Sequence, residues 1–203
     1  HKFRSMQNTE LSHEGSLQLI SSMINRAKNN FVESGTLYLV WGFVILSCSL
    51  LQFFANLYGI KNSWYIWSLT WIASLFQVFY LRRRGRKQKV KTYTEEILDY
   101  LWGVFFVCMT LVTFILIYQQ SYISILPCIM VCYGIPTIIT GLAVRFRLLV
   151  FGGIFCWIFS MTSVFFHYDY QLLFLGAAVT AAWIVPGIVF RRKYLTQNKS
   201  YGT

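Results

Sequence analysis

This chain has little charge. Asp, Glu, Lys and Arg supply 12% of its 203 residues, about half the share usual in a soluble domain. That leaves too little polarity to cover a water-facing surface, which excludes an ordinary soluble fold. Acids are the scarcer sign: seven Asp and Glu stand against 18 Lys and Arg, for a net charge of +11. Catalytic spacings are also missing. There is no HExxH, no paired aspartate and no Ser with His inside an apolar run, so the layouts of intramembrane proteases are excluded. No Walker loop, GxGxxG, spaced His pair for haem or intramembrane Lys for retinal occurs. The five cysteines form no CxxC, and their odd number argues against a disulfide framework. Each sits in an apolar stretch and is expected to pack as a small apolar residue. Cys128 and Cys132, four apart on one helical face, are the exception that a redox or metal pair would need. No catalytic residue, metal site or cofactor is expected.

What the chain does contain is apolar length. Hydrophobic residues make up 56% and aromatics 19%. Six runs approach the roughly 20 residues that cross a bilayer core: about Thr36–Tyr58, Ser63–Leu81, Ile97–Tyr118, Tyr122–Val144, Leu148–His167 and Tyr170–Phe190. The expected fold is an all-α integral membrane protein with six transmembrane helices, preceded by a cytoplasmic amphipathic helix. Three regions follow: residues 1–34 as the N-terminal segment, 35–191 as the bundle and 192–203 as a cytoplasmic tail. In SLQLISSMINRAKNNF, Leu17, Ile20, Ile24, Ala27 and Phe31 recur three or four apart on one face. That pattern suits a helix lying on the membrane surface. HKFRS precedes Met6, the expected natural start, and the polar first thirty residues show no cleavable signal pattern.

The cations decide orientation. YLRRRGRKQKVK carries seven of them between spans two and three. With the N-terminus on one side, that side collects 17 Lys and Arg and the other holds only Lys61. The positive-inside rule puts both termini in the cytoplasm. The basic run is then a cytoplasmic loop with attraction for anionic headgroups. It lacks interleaved aromatics, and no nucleic-acid partner is expected. Tyr and Trp residues near both expected interfaces fit an aromatic belt. In TYTEEILDY, Thr92 and Glu95 have capping-box spacing, and Glu95, Glu96 and Asp99 favour the start of span three.

Several features bear on function. YGIPTIITG and AAWIVPG place Gly134, Pro136, Gly141, Pro186 and Gly187 in the cytoplasmic halves of spans four and six. They are candidates for a hinge or cavity, against a background of plain packing. Gly176, Ala177, Ala178, Ala181 and Ala182 give span six a small-residue face. Arg145 and Arg147, in the short AVRFRL turn, are candidates for binding a ligand or lipid headgroup through their guanidinium groups. Trp-Gly followed by Cys recurs in LVWGFVILSC and YLWGVFFVC, a faint echo between spans one and three. LYLVWGF, YGIPTIITG and AAWIVPG, with ISSMINRAKNNF, resemble a group of small six-span membrane proteins of Bacteroidetes-type bacteria. The resemblance covers about Leu17 to Lys193 and implies a bacterial inner-membrane location, but no activity. The expected function is non-catalytic binding of a lipid, hydrophobic small molecule or membrane partner, including a second copy of the chain. The alternative is a transporter or channel subunit, with Gln52, Asn56, Gln77, Thr137 and Thr140 lining a path. A third class, an interfacial enzyme, would need His167 and Asp169 or the Glu95–Glu96 pair.

Overall fold

The computed structural model describes residues 37–85 and 93–200, with side chains at 37–79, 82 and 96–192. The expected amphipathic helix, most of the basic run and the Thr92–Glu95 box lie outside what is described. All secondary structure among the described residues is helical. Helix α1 is Leu37–Leu57. A 3-10 turn, Ser63–Trp67, leads into α2, Ser68–Gly85. Helix α3 is Tyr93–Tyr118, and a second 3-10 turn, Tyr122–Ser124, opens α4, Ile125–Ala143. Helix α5 is Arg147–Ser163. Helix α6, Tyr168–Val179, passes through a π turn at Thr180–Ile184 and runs on as α7, Val185–Ser200.

Among the described residues, four helices are long and apolar enough to cross a membrane: Leu37–Leu57, Glu96–Tyr118, Tyr122–Ala143 and Tyr168–Arg192. The other two expected spans are divided or short. Span two begins as the 3-10 turn, entered through Asn62 in a left-handed conformation (φ 63°), and only then becomes α-helical. Span five is a 17-residue helix. Helix α2 continues through LRRRG, so Arg82, Arg83 and Arg84 are helical rather than part of a loop. The last helix continues to Ser200, into the segment 192–203 read from the sequence as a cytoplasmic tail.

Three helices close with the same hydrogen-bond pattern. After α1, Ile60 N–H donates to Ala55 O and Gly59 N–H to Asn56 O. After α3, Ser121 N–H donates to Leu116 O and Gln120 N–H to Ile117 O. After α4, Phe146 N–H donates to Gly141 O and Arg145 N–H to Leu142 O. This is the Schellman ending, which needs one residue at positive φ. Gly59 meets that need without strain, whereas Gln120 (φ 56°) and Arg145 (φ 54°) hold it against their Cβ atoms.

The core is built by α1, α4, α5 and α6. Its buried cluster joins Ile45 to Leu126, Met130 and Tyr133, to Cys156, and to Leu172, Leu175, Ala178, Val179, Ala182 and Trp183. Described side chains of α2 and α3 include none that is buried; Trp102, Phe105 and Met109 of α3 pack against the cluster from outside. Size more than polarity separates the faces of α5: Leu149 and the small residues Gly152, Gly153, Cys156, Ser160 and Ser163 turn inward, while Phe151, Phe155, Ile158 and Met161 are exposed. Lipid is as apolar as leucine, so close backbone approach is what holds such helices together.

Glycines mark those approaches. A Cβ on Gly152 would lie 2.6 Å from Ala182 Cα, and one on Gly153 2.4 Å from Ile138 Cγ1. On α4, a Cβ on Gly134 would meet the Trp157 ring at 2.3 Å, and one on Gly141 the Val150 backbone nitrogen at 2.8 Å. Gly134 and Gly141 are therefore seats for α5. On α1, a Cβ on Gly42 would lie 2.6 Å from Ile184 Cγ1, whereas one on Gly103, its counterpart in the Trp-Gly echo, meets nothing within 4 Å among the described residues. The two Trp-Gly pairs thus occupy unlike environments.

Candidate functional site

A groove of about 470 Å³ runs along α6 on the outside of the core. Its floor is Gly176, Ala177, Thr180 and Ala181, and its ends are Leu173 and Val185. Leu46 and Leu50 of α1 form one wall, and Phe155 and Phe159 of α5 the other. The sequence dictates this shape. Small residues on α6 leave space that the large residues of the flanking helices border but do not fill. The lone polar lining group is satisfied within the helix, because the Thr180 hydroxyl donates to Gly176 O at 2.7 Å. The groove therefore offers an apolar occupant shape and dispersion contacts and offers no hydrogen bond.

The π turn lies on the floor of this groove. Proline has no N–H to donate and its ring crowds the carbonyl four residues back. For Pro186 that carbonyl belongs to Ala182, inside Thr180–Ile184. Widening by one residue per turn relieves the crowding, and such π segments often sit at functional positions. Pro136 lies within α4. Pro136, Pro186 and Gly187 are all buried.

Polar side chains form a network at the other end of the bundle. Trp67 Nε1 donates to Gln52 Oε1, and Gln52 Nε2 donates to the Tyr168 hydroxyl at 3.3 Å. Asn56 Nδ2 donates to Asp169 Oδ1 at 2.6 Å, and Ser63 Oγ donates to Asn56 Oδ1. These bonds tie α1 to the 3-10 turn and to the start of α6. Elsewhere, Trp41 Nε1 donates to Gln77 Oε1. Trp183 Nε1 donates to Thr137 Oγ1 at 3.1 Å, and Thr137 donates to Tyr133 O at 2.7 Å. Four of the five expected path residues thus spend their side chains on bonds inside the fold. Thr140 lies beside the Tyr38 hydroxyl but closes no bond of standard geometry. Two further buried groups, Ser49 Oγ and Gln171 Oε1, have no hydrogen-bond partner among the described residues.

The motifs singled out in the sequence meet in an aromatic cluster toward the opposite end. Trp102 of α3 packs edge-on to Tyr38 of α1 (centroids 5.7 Å) and to Trp183 (6.2 Å). Tyr133 lies 4.8 Å from Trp183 and 5.7 Å from Phe105. Edge-on and tilted pairs of this kind match positive ring edges to negative faces. Nothing in the spacing of one helix reveals this cluster, because its members come from four helices.

Arg145 and Arg147 are both exposed in the turn from α4 to α5. Between them, the Phe146 ring packs tilted (48°) against Phe190 of α7 with centroids 4.0 Å apart, which fixes the turn to the last helix near the exposed Arg191 and Arg192. His167 and Asp169 do not act as a pair: His167 is exposed and its carbonyl accepts from Gln171 N–H, while Asp169 bonds to Asn56. Glu96 accepts from the Tyr100 hydroxyl at 3.5 Å. Among the described residues, no group of three His, Cys, Asp or Glu is placed to hold a metal ion. Comparisons with protein-family models, curated proteins and solved structures give no match.

Proposed function

We propose that this chain is a six-span membrane protein with cytoplasmic termini, and that it binds the hydrocarbon portion of a lipid or a hydrophobic small molecule in the lateral groove on α6. The groove carries the reading: about 470 Å³, walled by leucine and phenylalanine and floored by glycine and alanine. It is open along its side, so it borders an apolar occupant rather than enclosing it. Two features support six spans. The 3-10 turn Ser63–Trp67 rises about 2.0 Å per residue and lengthens the short apolar part of α2. Helix α5 covers about 25 Å at 1.5 Å per residue, which a locally thinned bilayer or tilted neighbours accommodate. The charge asymmetry of 17 cations against one supports the orientation.

A photoactivatable fatty-acyl probe added to the protein in detergent tests the reading. Labelled peptides should map to the α5 and α6 residues lining the groove, and Ala177→Leu, which fills an exposed floor position, should remove most of that label. Labelling spread evenly over exposed apolar residues, and insensitive to Ala177→Leu, would sink it. One observation favours transport as the second reading: the π turn next to Pro186 is a ready place for bending. The internal bonding of Gln52, Asn56, Gln77 and Thr137 counts against a polar path.

A further inference from the structure

The groove is closed to charge along its length, and charge complementarity is found at one end. Its floor descends from Leu173 on α6 through the π turn to Val185 at the start of α7, at most about 18 Å at 1.5 Å per residue. Arg192 lies seven residues past Val185, two helical turns further on the same face and about 10 Å along the axis. Its side chain is exposed. On the opposite wall, Leu148, Phe151 and Phe155 continue one side of α5 toward Arg147, also exposed at the start of that helix. The Phe146–Phe190 contact holds these two helix ends together. At the other end, Leu50 and Leu173 lead toward the side that carries only Lys61. An apolar slot with guanidinium groups below one mouth and none at the other matches an amphiphile of fixed polarity. The step of about 10 Å from Val185 to Arg192 is comparable to the interfacial zone, roughly 5–8 Å per side, that a lipid's glycerol and ester groups fill.

We propose that the occupant is an anionic phospholipid of the cytoplasmic leaflet, with one acyl chain in the groove and its phosphate between Arg192 and Arg147. This rests on the groove reading above and goes further by naming the headgroup class, the leaflet and Arg192 as the residue that selects it. Guanidinium groups suit the task because they present several donors in a rigid fork to phosphate oxygens.

The test uses the full chain, delipidated in mild detergent and titrated with dioleoylphosphatidylglycerol or dioleoylphosphatidylcholine, read by native mass spectrometry. Each cation near a headgroup is expected to contribute roughly fivefold, so the anionic lipid should bind about twentyfold more tightly than the zwitterionic one. Replacing both residues, Arg147→Gln with Arg192→Gln, should bring the two lipids to within about twofold without abolishing binding. Ala177→Leu should lose both lipids, with an unchanged melting temperature showing that the bundle is intact. Equal binding of the two lipids by the unaltered chain, or a preference that survives the double Arg replacement, overturns this inference and leaves the groove reading standing. Lipid binding that Ala177→Leu leaves untouched, or no binding at all, overturns both.

Discussion

Replacing Gly152 with alanine tests whether this bundle is held by backbone contact. The added methyl would lie 2.6 Å from Ala182 Cα and 2.8 Å from Ala181 O, both backbone atoms that no rotamer change can move. Carbon atoms prefer about 3.5–4.0 Å, so α5 and α6 must part by about 1 Å or bend. Overpacking of this kind costs about 1–3 kcal/mol. Alanine returns about 0.5–1 kcal/mol through its better helix propensity. The net is a loss centred near 1 kcal/mol and reaching about 2.5 kcal/mol, or about 2–10 °C in melting temperature for a chain of this size. The control is Gly103→Ala, where nothing among the described residues lies within 4 Å of the new methyl; propensity alone should then stabilise by about 0.5–1 kcal/mol. In a background with Cys108, Cys128 and Cys132 replaced by serine, a thiol-reactive dye in a thermal ramp reports both, because Cys48 and Cys156 are 0% exposed and react only on opening, whereas Cys108 is exposed. If Gly152→Ala melts with or above the unaltered protein, the α5–α6 contact is not what holds the core. If Gly103→Ala falls as far as Gly152→Ala, glycine acts through something other than contact distance.

Four other predictions rest on separate observations. Ser49→Ala removes a buried hydroxyl with no partner and should leave stability unchanged or raise it by about 1 kcal/mol in the same ramp; a clear loss would mean that the hydroxyl has a partner. Gln52→Leu deletes the acceptor for Trp67 and the donor to Tyr168, and should cost about 1–3 kcal/mol while shifting Trp67 fluorescence. Gln120→Gly relieves a left-handed residue at the end of α3 and should stabilise by up to about 1 kcal/mol, seen as a higher melting temperature. In intact cells, a cysteine at position 61 should react with a membrane-impermeant thiol reagent, whereas one at position 145 should react only after lysis; the reverse pattern would invert the orientation.

The helices were legible because hydropathy is a local property. Every apolar run expected from the sequence contains a helix, and the bounds of α4 differ from the expected span by one residue at its inner end and a 3-10 turn at its outer one. The spacing did not give span two its 3-10 start, since Ser-Trp-Tyr-Ile-Trp is apolar enough to read as the beginning of an ordinary span. It also could not assign the glycines. Gly134 and Gly141 flank Pro136 in the chain and invite a hinge reading, and that each also seats α5, against the ring of Trp157 and the backbone of Val150, is visible only in the fold. The candidate site was hidden for the same reason. The small residues of span six were visible, but a groove exists only where α1 and α5 leave one of those faces uncovered. The polar network was missed outright: Asn56 and Asp169 are 113 residues apart, and neither has a local signal pointing to the other. Gln52, Asn56 and Gln77 do stand out as polar residues in apolar runs, and that is the one local sign of their bonding.

The distance in sequence between the first helix and its partners has a consequence for synthesis. Helix α1 meets Gly176, Ile184 and Asp169, all on the last helix to be made. With 113 residues between Asn56 and Asp169 and elongation at about 5–20 residues per second, roughly 6–23 s pass before the second partner leaves the ribosome. During that interval the early hairpin sits in lipid with Gln52 and Asn56 unmatched by α6. The nascent chain is therefore a different object from the finished one, and a quality-control protease that surveys polar groups in the membrane has that time in which to find it.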